Sequence, residues 1–333
     1  MARFSSTPSG KIAVLAVLAL ILVLAAGISL TVGELKHSLS QWQRILVSGE
    51  PRMDYLILTA IRLPRTVLGM LAGAALAVSG CILQSVMRNP LAAPGIIGVS
   101  AGAGLAGVTV MLALPQLSGL LVPAAFAGSL LSAGLIYSLA WKRGVSPVRL
   151  ILAGVAVSAM LSAFSSAIML FNAERAGGIL DFTIGSLAAK SWRQVDLIVY
   201  YVLAGLAAAL ALGRKLNILA LGDDLAAGLG MRVEPVRCAA IATAALLAAA
   251  AVSVAGLLGF VGLIAPHAAR MLIGGDNRYA IPASALLGAV LVALCDTAGR
   301  LVMAPAELPV GSVMAMLGTP FFLWLLRRHK YES

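Results

Sequence analysis

Charge is scarce in this chain. Asp, Glu, Lys and Arg make up 11% of its 333 residues, too few to clothe a soluble domain of that length. No hydrophilic block is long enough to fold apart from the rest, so a single membrane domain over residues 1–333 is expected instead of two soluble ones. Cysteine is nearly missing as well. Cys81, Cys238 and Cys295 each lie inside an apolar stretch with no pairing or metal-type spacing, which leaves them as small packing residues. A phosphate-cradling GxxxxGK[ST] loop is missing, since Gly10-Lys11 lacks both the upstream glycine and the following hydroxyl. Any ATP that the protein depends on must therefore be held by a partner. Carboxylates inside the apolar stretches, the mark of an ion-coupled carrier, are almost missing too. Asp296 is the exception, and Arg300 one helical turn later can neutralise it.

What the chain has instead is apolar length, with 61% hydrophobic residues and a mean hydropathy of +1.00. Ten apolar stretches, most of them near twenty residues, are joined by short polar loops. A run of about twenty such residues crosses a roughly 30 Å hydrocarbon core as a helix, because only a helix satisfies its own backbone there. Span 1 is expected at about 12–32, too long for a signal-peptide core and without a small-residue cleavage site, hence an uncleaved first span. Spans 2 to 6 follow at about 66–87, 96–114, 121–141, 150–172 and 197–213, with a short interfacial helix between Glu174 and Asp196. The uncharged run 238–269 is too long for one span and short for two. Gly256, Gly259 and Gly262 offer a break, giving spans 7 and 8 at about 238–256 and 258–274. Spans 9 and 10 fall at about 280–298 and 308–326. Between spans 6 and 7 lies the largest hydrophilic loop on the basic side, at about 214–237.

The net charge of +11 could suggest nucleic acid, but the basic residues sit in short loops between spans, where the positive-inside rule puts them, so no nucleic-acid partner is expected. With ten spans, both termini face the cytoplasm. Nine of the 24 Lys and Arg then lie outside (Lys36, Arg44, Arg52, Arg62, Arg65, Arg175, Lys190, Arg193 and Arg300) and the other 15 inside. Nine spans would strand Arg327, Arg328 and Lys330 outside, so ten is the better count.

Several groups are candidates for chemistry, each with a plainer reading. Gly98-Val99-Ser100-Ala101-Gly102 matches the GxSxG nucleophile elbow by letter, but that turn belongs to an α/β sheet; in a helical setting Gly98 and Gly102 make a GxxxG packing pair. Ser158, Ser162, Ser165 and Ser166 share one face of span 5, either as a helix contact or as the lining of a polar path. Gln84 in span 2 is either an interhelical hydrogen bond or a pathway group. Met160, Met169, Met314 and Met316 are adaptable apolar groups that suit a bulky ligand or simply fill space.

Four blocks then carry a family likeness. The run RLPRTVLGMLAGAALAVSGCILQSVMRNPLAAPGIIGVSAGAG (Arg62 to Gly104) resembles the FecCD-type permeases of bacterial ABC importers for iron chelates, haem and vitamin B12. So do LALGDDLAAGLG (Leu219 to Gly230), GFVGLIAPHAARMLIGGDNR (Gly259 to Arg278) and AELPVGSVMAMLGTPFFLWLL (Ala306 to Leu326). The resemblance implies an all-α polytopic subunit of ten transmembrane helices, the type II importer permease fold, in the bacterial inner membrane. It implies a second permease subunit, identical or related, and two ATP-binding-cassette ATPases that carry the ATP and Mg²⁺. It also implies an extracytoplasmic binding protein and no bond chemistry in this chain.

Carried onto these residues, the likeness makes Leu221, Gly222, Asp223, Asp224, Ala226, Leu229 and Gly230 the elements that couple to the ATPase. Arg62, Arg65 and Arg300 become partners for glutamates of the binding protein. Span 5 becomes the path lining, with Gln84 beside it, and Ser146 and Pro147 a cytoplasmic gate. A ferric siderophore or related metal chelate is the expected cargo, moved inward by alternating access. Haem and cobalamin are the alternatives within the family. The rivals from other classes are an ion-coupled secondary carrier and an intramembrane serine hydrolase using Ser100.

Overall fold

The computed structural model describes residues 7–32, 53–142 and 144–329. Among them the chain is helical throughout, with no strand beyond an isolated antiparallel bridge between Trp141 and Val145. Helix α1 is Pro8–Thr31, started by Pro8 in the first turn and by Thr7, whose hydroxyl accepts from the Gly10 amide. Helix α2, Leu63–Met87, is extended at its start by a π turn, Ile57–Arg62. Helix α3, Val99–Val108, runs on as a π turn, Thr109–Ala113. Then come α4 (Leu121–Ala140), α5 (Pro147–Phe171), the short α6 (Leu180–Ile184), α7 (Trp192–Leu219), the short α8 (Asp223–Gly228) and α9 (Val233–Ala255). The chain closes with α10 (Val261–Ile273), α11 (Asn277–Val302) and α12 (Val310–His329).

Seven of the described helices are long and apolar enough to cross a membrane; α3, α10 and the apolar part of α12 are shorter. The ten expected spans thus all appear as apolar helices, but three fall below full length. The reason is visible after α9. Gly256 takes φ +74° and Phe260 takes φ +63°, so the chain turns inside the protein and restarts as the 13-residue α10. Such irregular backbone is tolerated at membrane depth only where protein covers it or where it lines a water-filled cavity. Helix α6 does part of the covering. The sequence suggests an interfacial helix here, yet Phe182 is buried and its carbonyl accepts the Leu257 amide at 3.1 Å.

Burial sorts the helices. In the most apolar window of α2 (with its π turn) 83% of residues are buried, with 78% in α9 and 67% in α11; the figures are 17% for α1 and 11% for α5. The first three form the core, and the last two keep most of their surface for lipid or another chain. Small residues let the core helices approach closely. A Cβ at Gly73 would sit 2.2 Å from the Gly288 carbonyl oxygen, and one at Gly80 1.8 Å from that of Gly262. Gly102 meets Gly128 of α4 in the same manner, so the GxSxG letters mark helix packing, with Ser100 on a helix instead of a strand-to-helix turn.

Candidate functional site

The loop between the sixth and seventh membrane spans is tighter than its polar composition suggests. Helix α7 carries Arg214 and Lys215 onward to Leu219, and α9 begins at Val233, so the connection shrinks from 214–237 to residues 220–232. Two glycines fence the helix inside it. Gly222 enters at φ +111° with the Arg88 guanidinium lying over it, where a Cβ would come within 2.9 Å. Gly230 leaves at φ +80° and closes a Schellman end: its amide bonds to Ala227 O at 2.9 Å and the Met231 amide to Ala226 O at 3.0 Å. Between these stops α8 has two faces. Ala226 is fully buried against the body, while Leu221, Leu225 and Leu229 are 56%, 62% and 66% exposed. Leu225 on α8 and Leu229 at its C-cap lie one turn apart on the same face, with Leu221 flanking them before the Gly222 bend. Such an apolar stripe held open by glycine stops is a contact surface. Leu225 belongs to that stripe although the motif alone singles out only Leu221 and Leu229.

A second feature escaped the sequence reading. Arg237 of α9 is buried, its side chain 2% exposed. Its Nη2 donates to Asp223 Oδ1 at 2.5 Å, and its Nη1 donates to Glu234 Oε1 at 2.6 Å and to the Val145 carbonyl at 2.8 Å. Glu234 Oε2 accepts the Val145 amide at 3.3 Å. Only the i, i+3 spacing of Glu234 and Arg237 was open to inspection; the other partners come from distant segments. The turn they hold leads directly into α5. Ser146 caps that helix, accepting from the Arg149 amide at 3.2 Å, and Pro147 occupies its first turn. Arg149 folds back to donate to Lys142 O at 3.1 Å and Gly144 O at 2.8 Å.

The serine face of α5 does border an open space. Ser158, Ser162, Ser165 and Ser166 line a hollow of about 360 Å³ together with Ser100, Thr183 and Met169. Ser165 and Ser166 donate to carbonyls four residues back, at 2.9 and 3.0 Å. Their oxygens thus remain as acceptors on the wall. Gln84 takes no part in the hollow. It is 4% exposed and faces α10 from α2, its Nε2 reaching Leu263 O at 3.5 Å while its Oε1 is buried without a hydrogen-bond partner among the described residues. The methionines divide: Met169 borders the hollow, Met314 is core, and Met160 and Met316 are exposed. Cys238 is exposed, unlike the buried Cys81 and Cys295.

At the opposite end of the bundle the three arginines are turned inward. Arg65 is 9% exposed; its Nε and Nη2 grip Asp296 at 2.8–3.1 Å and its Nη1 reaches Glu307 at 2.8 Å. Arg300 lies 3.3 Å from Asp296 and donates to Ser29 O and Ser29 Oγ, both at 3.0 Å. Arg62 is 8% exposed and donates to Leu30 O at 2.8 Å. Two guanidiniums thus satisfy the last carbonyls of α1, which no helical amide can reach. Arginines expected at an open docking face are engaged inside the chain, because Asp296 and the end of α1 supply what they bind. Lys36, Arg44 and Arg52, on the same side in the sequence reading, lie outside the described residues.

Near the α8 end, Asp276 caps α11. Its carboxyl is held well below the usual carboxylate range, chiefly by Arg278, whose guanidinium donates to it at 2.7–3.1 Å; burial opposes this and Asn217, at 2.7 Å, assists.

A model of the FecCD transport family matches residues 19–328. The Fe(3+)-citrate import system permease protein YfmD of Bacillus subtilis is 37% identical over 320 residues, 96% of each chain. The cobalamin import system permease protein BtuC of Halobacterium salinarum is 41% identical over 287 residues, 86% of this chain and 77% of that one. A solved structure described as an inward-facing, metal-chelate type ABC transporter superposes with a TM-score of 0.83 at 30% identity, covering 95% of this chain and 99% of that one.

Proposed function

This chain belongs to the FecCD transport family, and on that premise we propose that it is the permease of an ATP-binding-cassette importer that carries a ferric chelate into the bacterial cytoplasm. The observation that carries the reading is α8: a short helix fenced by Gly222 and Gly230 that offers Leu221, Leu225 and Leu229 to a partner. The partner is an ATPase. This chain has no phosphate-cradling loop of its own, so ATP and its Mg²⁺ sit on that subunit, which pushes on α8 as it closes.

The α8 end is then cytoplasmic, with both termini on that side of the inner membrane, and a binding protein delivers cargo to the other end. A second permease subunit meets the largely uncovered α5, and the hollow beside Ser158, Ser162, Ser165 and Ser166 becomes half of a shared path. The path opens to one side at a time. Its hydroxyl wall offers weak, replaceable contacts, which suits a cargo that must also leave. A ferric chelate is favoured because similarity to the ferric citrate permease spans nearly the full length of both chains. An ion-coupled carrier is disfavoured because Asp296 is already gripped by Arg65 and flanked by Arg300.

Purification of the tagged chain from its native membrane provides the test. It should bring down an ATPase, and vesicles containing the complex should accumulate radiolabelled ferric citrate in a vanadate-sensitive, protonophore-resistant manner. Isolation without any ATPase, or uptake abolished by the protonophore alone, overturns the importer reading. Accumulation of labelled cobalamin instead of ferric citrate changes only the cargo.

A further inference from the structure

We infer that Arg237 is the positioning residue that carries movement of α8 into the turn before α5, so that the gripped hairpin and the start of the path-lining helix move as one body. The inference rests on the reading of α8 as the ATPase contact. Three segments meet on this one guanidinium: α8 through Asp223, the start of α9 through Glu234, and the α4–α5 turn through the Val145 carbonyl. The hold on the turn is made on its backbone from both sides, since Glu234 also accepts the Val145 amide. With its amide and its carbonyl both held, Val145 cannot swing about a single bond without breaking the other.

Two further features make this a linkage and more than a local brace. The turn is itself a closed unit, because Arg149 spans it from inside by holding the Lys142 and Gly144 carbonyls, so displacement of Val145 is passed to Ser146 and the first turn of α5. The Arg237 guanidinium itself is nearly shut off from water, its side chain 2% exposed. There the planar fork fixes the angle of each bond as well as its length. Asp223, by contrast, is 44% exposed in its side chain and sits in the first turn of α8, so it ties Arg237 to the helix that carries Leu225.

The test uses the full complex with the co-purifying ATPase, in lipid nanodiscs, and needs no knowledge of the cargo. Lys142→Cys, on the exposed part of the turn, is introduced with Cys238→Ala so that maleimide labelling reports the turn alone. The labelling rate is compared without nucleotide and after vanadate trapping. In the otherwise unaltered protein the two rates should differ by about fivefold or more, the lower end of ordinary site-to-site coupling. With Arg237→Met the ATPase should still co-purify while the difference disappears, and Arg237→Lys should restore part of it. A purely structural role predicts that ATPase binding and the difference are lost together, and that result overturns the inference. So does an undiminished difference in Arg237→Met, or no difference in the parent. If Arg237→Met fails to insert, Glu234→Gln decides instead: it should at least halve the difference, and an unchanged one sinks the linkage. Failure of the parent to retain any ATPase is a separate result and strikes the reading of α8 itself.

Discussion

Asp296 lies between the guanidiniums of Arg65 and Arg300 with 4% of its side chain exposed. Removing one member of such a cluster strands the others as buried charges, typically at a cost of about 3–5 kcal/mol. Asp296→Ala should therefore lower the thermal unfolding temperature of the detergent-purified protein markedly, and Asp296→Asn by less, because the amide still accepts a hydrogen bond. Equal temperatures for all three would show that the cluster does not hold the bundle together. Asp276 supports a different prediction. Its folded-state pKa is depressed, chiefly by Arg278, so its contribution is complete above the unfolded carboxylate value of about 3.9 and is lost as pH falls through the lower folded value. The stability difference between wild type and Asp276→Leu should be flat from pH 7 to about 4 and shrink only in stronger acid. A difference that already collapses near pH 6 would contradict the Arg278 pairing. The effect is modest, since Arg278 is half exposed and water screens the pair.

Helix α8 is six residues long, too short to be stable by itself, and it exists because Gly222, Gly230 and the buried Ala226 define where it starts, stops and sits. That arrangement frees its leucines for contact. Burying one leucine is worth about 1.5–3 kcal/mol, so Leu225→Ala should weaken ATPase association by roughly ten- to a hundredfold, and Leu225→Asp should abolish co-purification. Unchanged association of the Asp variant would remove α8 as the contact. Once a helix is granted, the spacing pairs Leu225 with Leu229, while Leu221 lies before the Gly222 bend. The family likeness already implies coupling helices within 214–237; what the polar letters of that stretch hide is that α7 and α9 reach into both of its ends. Polarity marks exposure to water, and a helix that continues past the membrane surface need not be apolar there.

Across the whole molecule, the proposed importer function makes the hollow beside α5 the passage for cargo. Filling it with Ser162→Leu and Ser166→Leu should stop chelate uptake while ATPase binding is kept, and the corresponding alanine variants should transport nearly as well as wild type. Normal uptake by the doubly filled protein would place the path elsewhere. The uncovered state of α5 fits that assignment: 11% of its most apolar window is buried, so most of the helix awaits lipid or a second subunit.

Periodicity and composition were enough for the helical class, the order of the ten apolar segments, the break near Gly256 and the shared face of the four serines. Each of these depends on spacing within about twenty residues, and helical geometry converts such spacing directly into position. The destinations of the buried charges were decided only when the chain folded. Arg65 finds Asp296 across 231 residues, Arg237 finds Val145 across 92, and Gln84 turns toward Leu263 instead of the hollow. Local sequence fixes which face of a helix a side chain occupies, but the neighbour that face meets depends on how all the helices pack. A buried charge has to take its partner from whatever that packing brings near it.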